Sequence, residues 1–447
     1  MSRSSSAAHN AHELSRRHFL WLTSLSAAGW VAGCARNPVT GKSQLMLVSE
    51  EEEIQVDKQY SPLQFSSDYG SVRDKALSQY VSEVGKNISS RTHRPNMPYS
   101  FRVVNATYIN AYAFPGGSIA CTRGILLDLD NEAQLAALLG HELGHVNARH
   151  TAQQMTKSSI SQGFVGGLSV LAGVAGGSGL GQAAAQLGSI GAGALLASYS
   201  RDNEREADAL GMEYMVRAGY NPNGMVGLQD MLVSLNKSKP SAIELMFATH
   251  PMSEERYKTA VKRVKEDYGK YTDLPRYRER YMDNTERLRA QKEAIEEMQK
   301  GEQLMAKEKY KEAESHFRKA LREAPEDYAG LVMMATCQLV QKDYREGLRY
   351  AEEAQAVYPR EAQAHHLSGF AKIQTKDYEG AYEEFSTYEK LLPANPNSIF
   401  FKGYALEGMR NREKASQEYT RYLKIVQEGD YAQYASKRLV EWGYIKK

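Results

Sequence analysis

The 447 residues exceed what one hydrophobic core ordinarily organises, so the chain should divide into two or three domains. With 42% hydrophobic and 25% charged residues its composition is that of a folded protein, which excludes disorder and a many-span membrane architecture. A formal net charge of +2 gives no electrostatic ground for a nucleic-acid partner.

In chain order, the first element is a targeting segment. Arg16 and Arg17 precede an apolar run from Phe19 to Gly33 that ends in small residues, the layout of a signal peptide over residues 1–33. Ser15-Arg16-Arg17-His18-Phe19-Leu20 resembles a twin-arginine export motif, and Val31-Ala32-Gly33-Cys34 resembles a lipobox. That resemblance implies that Cys34 is acylated, becomes the first mature residue and ties the chain to a membrane. Ala35 stands where an aspartate would favour the inner membrane, so the expected location is the periplasmic face of the outer membrane. Cys121 and Cys337 then remain, one per domain, as buried thiols rather than a disulfide.

Residues 34–290 carry the chemistry, centred on His141-Glu142-Leu143-Gly144-His145. Asn131 is a plausible N-cap ahead of a run of helix formers, so the motif lies inside a helix. Positions i and i+4 share a helix face, which aims both imidazoles at one tetrahedral zinc. Glu142, one step round, addresses a water activated by the metal and serves as its base. The bare pattern also arises by accident, as two surface histidines on a charged helix.

A catalytic zinc takes three protein ligands. His150, five residues past His145, would lie about 140° further round a continuing helix, facing away from the metal, and reads as structural. A downstream acid fits better. Ser200 to Asp208 opens a second helical pattern in which Glu204 and Asp208 are i and i+4, so one can ligate while the other accepts a hydrogen bond from a ligand imidazole. Between the two motifs, residues 158–200 carry no charge. Their Gly, Ala, Ser and Gln are too weakly apolar for the ~20 hydrophobic residues of a membrane span. A mobile hairpin or lid beside the site is expected, with a membrane-dipping element as the alternative.

His141-Glu142-Leu143-Gly144-His145 followed by Glu204 and Asp208 resembles the family of HtpX and the CAAX prenyl proteases, in its periplasmic branch with C-terminal tetratricopeptide repeats. The resemblance covers nearly the whole mature chain. It implies a mostly α, gluzincin-type metallopeptidase domain with a small β-sheet, one zinc held by His141, His145 and Glu204, and Asp208 as the orienting carboxylate. Glu206 falls on another face and reads as solvated. The resemblance also makes Ile109 to Ile119 a strand and turn bordering the cleft, where an edge could pair with an extended substrate. It places His250 near the metal, with Arg256 supporting the site. His250 is then either an inhibitory fourth ligand or a donor to the developing oxyanion, the plain alternative being a cap on the helix that begins near Ser253. His93, His316, His365 and His366 have no such context.

The chain from Ser253 to Lys300 is densely charged with helical spacing, and residues 291–447 form a repeat array. Pro325, Pro359 and Pro393 recur every 34 residues, as do Tyr310, Tyr344 and Tyr378, while Gly301, Ala335, Gly369 and Gly403 mark a close-packing position. This is the tetratricopeptide signature. Four units should run from about 294 to 429, capped by a helix from Tyr431 to Trp442, as a stack separate from the catalytic domain. A concave groove there implies a protein partner, with outer-membrane assembly machinery a candidate. The whole reads as a zinc-dependent endopeptidase of the cell envelope that degrades misfolded or stalled envelope proteins. The alternative is an assembly chaperone with a silent metal site. An intramembrane prenyl-protein protease would need several apolar spans, and no segment qualifies.

Overall fold

The computed structural model describes residues 34–161, 199–238, 240–251, 254–393 and 395–446. The expected signal peptide and most of the expected lid lie outside these residues. Among the described residues no helix is long and apolar enough to cross a membrane.

The chain opens with a small antiparallel pair, β1 (Cys34–Arg36) and β2 (Ser43–Leu45). Helices α1 (Glu50–Ser67) and α2 (Lys75–Ser89) follow, then a three-stranded sheet of β3 (Ser100–Val104), β4 (Ala111–Ala113) and β5 (Ser118–Thr122). Strand order is β3-β5-β4, with β3 parallel and β4 antiparallel to the central β5. The strand and turn expected between Ile109 and Ile119 are β4, a turn with Gly117 at φ 103°, and the start of β5. Helices α3 (Arg123–Asp128), α4 (Glu132–Ala148), α5 (His150–Ser161), α6 (Arg201–Arg217), α7 (Asn223–Ser238), α8 (Pro240–Thr249), α9 (Glu254–Glu266) and α10 (Arg278–Ala290) complete this part.

Helix α4 is the spine of the domain. Asn131 caps it by accepting from the Gln134 N–H, and every residue from Glu132 to Ala148 is buried. It packs on α6 with the two backbones close together at its glycines. A Cβ on Gly140 would come within 2.9 Å of the Gly211 carbonyl oxygen, and one on Gly144 within 2.8 Å of the Ala207 carbonyl oxygen. Only glycine allows so close an approach of two backbones, and this sets α6 where its carboxylates reach the α4 histidines.

The repeats are four helix pairs, α11 (Lys292–Ala306) with α12 (Tyr310–Glu323), α13 (Tyr328–Val340) with α14 (Tyr344–Val357), α15 (Ala362–Gln374) with α16 (Tyr378–Leu391), and α17 (Pro396–Gly408) with α18 (Arg412–Leu423), followed by α19 (Asp430–Glu441). The 34-residue period reappears in the backbone, since Glu308, Lys342, Lys376 and Arg410 all turn the chain with positive φ between paired helices.

The array is not a separate stack. One hydrophobic core runs from Phe65 and Leu139 through Phe317 and Met334 to Leu367. Polar contacts reinforce it: Gln299 donates to the Thr107 carbonyl at 2.6 Å, Glu302 accepts from the hydroxyls of Thr107 and Tyr69, and Glu361 accepts from Ser66. Arg123 forms a buried ion pair with Asp327 at 2.5 Å. The first helices of three repeats therefore lean on the catalytic domain.

Beside this seam Asp68 is buried and accepts from Tyr108 at 2.6 Å, Gln64 at 3.1 Å and Tyr112. Burial pushes its carboxyl from 3.8 up to about 6, although the three donors oppose the shift. A carboxyl raised in the folded chain binds its proton more tightly there, so its stabilising contribution is full below about pH 4 and lost as pH rises through 6. Asp68→Asn cannot ionise and should remove up to about 3 kcal/mol of this dependence. Urea midpoints of both proteins at pH 4.5 and 7 measure it, and parallel pH trends would contradict it.

A candidate metal centre

Four ligand-type side chains converge between α4, α6 and the end of α8: His141, His145, Glu204 and His250, all buried. Nε2 of His145 lies 3.1 Å from Nε2 of His141, and Nδ1 of His250 lies 3.4 Å from the same His141 atom. Glu204 sends Oε2 to within 3.5 Å of His141 Nε2, and Oε1 to within 3.3 Å of His145 Nε2 and 3.0 Å of His250 Nδ1. Ligands about 2.0–2.1 Å from a tetrahedral centre stand about 3.3–3.4 Å from one another. The observed separations match that spacing, so these residues fit a zinc-sized ion.

Glu142 is fully buried at the same spot, and neither of its carboxylate oxygens has a hydrogen-bond partner among the described residues. Its nearest ionic neighbour is His250 Nε2, at 3.9 Å. Burial raises the Glu142 carboxyl above its ordinary range, with His250 and His141 pulling the other way. Burial drives His145 well down, which keeps it neutral as a ligand must be. Glu204 would also rise on burial, but the charges of His250 and His141 and its hydrogen bonds hold it well below the usual range.

Asp208 Oδ1 stands 2.9 Å from His141 Nδ1, on the side away from the cluster. Arg256 grips this carboxylate through Nε and one terminal nitrogen, both at 2.7 Å, and its other terminal nitrogen reaches Glu204 at 2.6 Å. Burial opposes ionisation of Asp208, yet the Arg256 charge and hydrogen bonds bring it down to about 2. The structure thus brings His141, Glu142, His145, Glu204, Asp208, His250 and Arg256 into one site. Cys34 begins β1, away from the site in the chain.

Two sequence readings need correction. His150 stays outside the ligand cluster, as its structural reading has it, but it packs against the back of a ligand ring: its Nδ1 lies 2.9 Å from His145 Nδ1. Helix α4 stops at Ala148 and Arg149 adopts φ 59°, so the 140° extrapolation along a continuous helix does not apply. Glu206 is not simply solvated, since its Oε2 lies 3.3 Å from His150 Nε2. Sequence reasoning also missed Tyr199, whose ring stacks on His145 with centroids 3.8 Å apart. It closes the uncharged segment, where neither motif nor periodicity marks it.

Residues 75–264 match Peptidase family M48, and residues 304–369 match the tetratricopeptide repeat. The metalloprotease YcaL of Escherichia coli K12 is 34% identical over 43% of this chain and 68% of its own length. This chain belongs to peptidase family M48. Its N-terminal part is therefore a metallopeptidase domain, joined to tetratricopeptide repeats. The beta-barrel assembly-enhancing protease of Yersinia pestis is 32% identical over 43% of this M48 chain, which covers 40% of that protein. The metalloprotease LoiP of E. coli K12 is 27% identical over 48% of this chain and 78% of its own length.

Proposed function

We propose that the chain is a zinc-dependent endopeptidase of the cell envelope that degrades misfolded or stalled outer-membrane proteins. The observation that carries this reading is the set of four buried ligand-type side chains whose donor atoms approach one another at 3.0–3.5 Å, with an orphaned carboxylate beside them. His141, His145 and Glu204 would hold one zinc, which supplies Lewis acidity toward water and the peptide carbonyl. Glu142 takes the proton of the attacking water, a task its raised affinity for a proton favours, and delivers it to the leaving amine. Asp208 orients His141, and Arg256 fixes Asp208 and Glu204 together. His250 would serve as a fourth ligand and keep the site closed until a substrate moves it.

The envelope assignment draws on relatives named for beta-barrel assembly and on the lipobox-like Cys34, which would anchor the chain to the periplasmic face of the outer membrane. The repeats would bring in the polypeptide substrate or the assembly machinery. Residues 1–33, 34–290 and 291–447 are then the signal, the catalytic unit and the array.

Metal analysis of the purified chain should find one zinc. Glu204→Ala should lose most of it, and a Glu204→Ala protein with full zinc would refute the ligand set. His250→Ala should keep zinc and raise basal proteolysis and self-cleavage. A fall of about 10² to 10³-fold in kcat would instead make His250 a transition-state donor.

A further inference from the structure

We infer that His150 and Glu206 are positioning residues that hold His145 in the one proton arrangement able to bind a metal. The inference rests on the zinc reading of the site. His145 turns Nε2 toward the other ligand atoms, 3.1 Å from His141 Nε2 and 3.3 Å from Glu204 Oε1. A ligating Nε2 has no proton, so the ring proton sits on Nδ1. That atom lies 2.9 Å from His150 Nδ1, which must accept, and the His150 proton is thereby placed on Nε2. His150 Nε2 lies 3.3 Å from Glu206 Oε2, which accepts in turn. Each hydrogen bond fixes the direction of the next, from His145 through His150 to Glu206.

The surroundings hold the relay in place. His150 is fully buried, whereas the Glu206 side chain is 35% exposed and forms the outer end. The turn that aims His150 is pinned by Arg149, which donates to Glu53 at 3.1 Å and to the Val48 carbonyl at 2.7 Å. Tyr199 covers one face of His145, and its hydroxyl meets Thr151 Oγ1 at 3.1 Å, one residue after His150. The two α4 ligands are thus each backed by a carboxylate, His141 directly by Asp208 and His145 through a second imidazole. Partners of this kind fix a ligand's tautomer and raise its basicity.

The test is zinc affinity of the full chain, by competition with a chromophoric chelator, together with the visible spectrum of the cobalt-substituted protein. His150→Leu should weaken zinc binding by about 10 to 100-fold and shift the cobalt bands. His150→Gln should recover most of the loss, because its amide oxygen accepts and its amide nitrogen donates where the two ring nitrogens did. Glu206→Gln should weaken binding less than His150→Leu does. Wild-type affinity in folded His150→Leu, or equal losses in the Leu and Gln variants, would overturn the relay and leave a packing role. Should His150→Leu not fold, Glu206→Leu decides, because it leaves His150 Nε2 without that acceptor; unchanged affinity and an unchanged cobalt spectrum in it overturn the proposal. A wild-type chain that binds no zinc overturns the zinc reading itself, a result distinct from all of these.

Discussion

Glu142→Gln should lower casein hydrolysis by about 10² to 10⁴-fold while leaving the fold and the zinc content unchanged. The amide has the shape of the carboxylate but cannot take a proton from water. Stability should not suffer, because the replaced carboxylate is fully buried, has no hydrogen-bond partner among the described residues and already resists ionisation. Zinc should remain, because Glu142 is not among the four clustered ligand-type residues. Loss of zinc in the variant would mean that Glu142 ligates. Equal turnover by both proteins would remove it as the base. A wild-type chain that holds zinc yet cleaves nothing would favour the chaperone reading.

The ligand cluster was legible because helical geometry is local. His141 and His145 share a face by their spacing alone, and so do Glu204 and Asp208. The glycines that let α4 and α6 touch were visible as letters but carried no spacing rule, since Gly140 meets Gly211 only after folding. His150 was misplaced for a local reason of another kind. Arg149 is a non-glycine residue with positive φ, held by Glu53 and Val48 far back in the chain, and no propensity announces such a break. The repeats were legible through their period, which the turns at Glu308, Lys342, Lys376 and Arg410 repeat in the backbone. What the array rests on was not, because that surface has no period of its own. Its contacts pair residues such as Thr107 with Glu302 and Ser66 with Glu361, on opposite sides of the chain's midpoint.

Arg123→Ala should cost about 3–5 kcal/mol and loosen the catalytic domain and the array together. Arg123 sits at the start of α3, directly after β5, and sends two nitrogens to Asp327 at 2.5 and 3.1 Å. Both side chains are almost fully buried, at 3% and 5% exposure, so neither charge is well hydrated. Asp327 also caps α13, accepting from the Gly330 N–H at 2.9 Å. Without the guanidinium, a buried carboxylate would remain with that one donor among the described residues, and the cost is chiefly its stranded charge rather than the lost attraction. Arg123→Met with Asp327→Asn should therefore be more stable than Arg123→Ala alone, since the neutral amide carries no charge to strand. Truncation after residue 290 strands Arg123 in the same way and also bares the core shared with Phe317 and Met334. It should impair hydrolysis of small peptides as well as of proteins. Urea midpoints of the single and double variants, read beside peptide hydrolysis by the truncated chain, decide the matter. A wild-type midpoint in Arg123→Ala, with full peptide hydrolysis after truncation, would return the array to an independent stack.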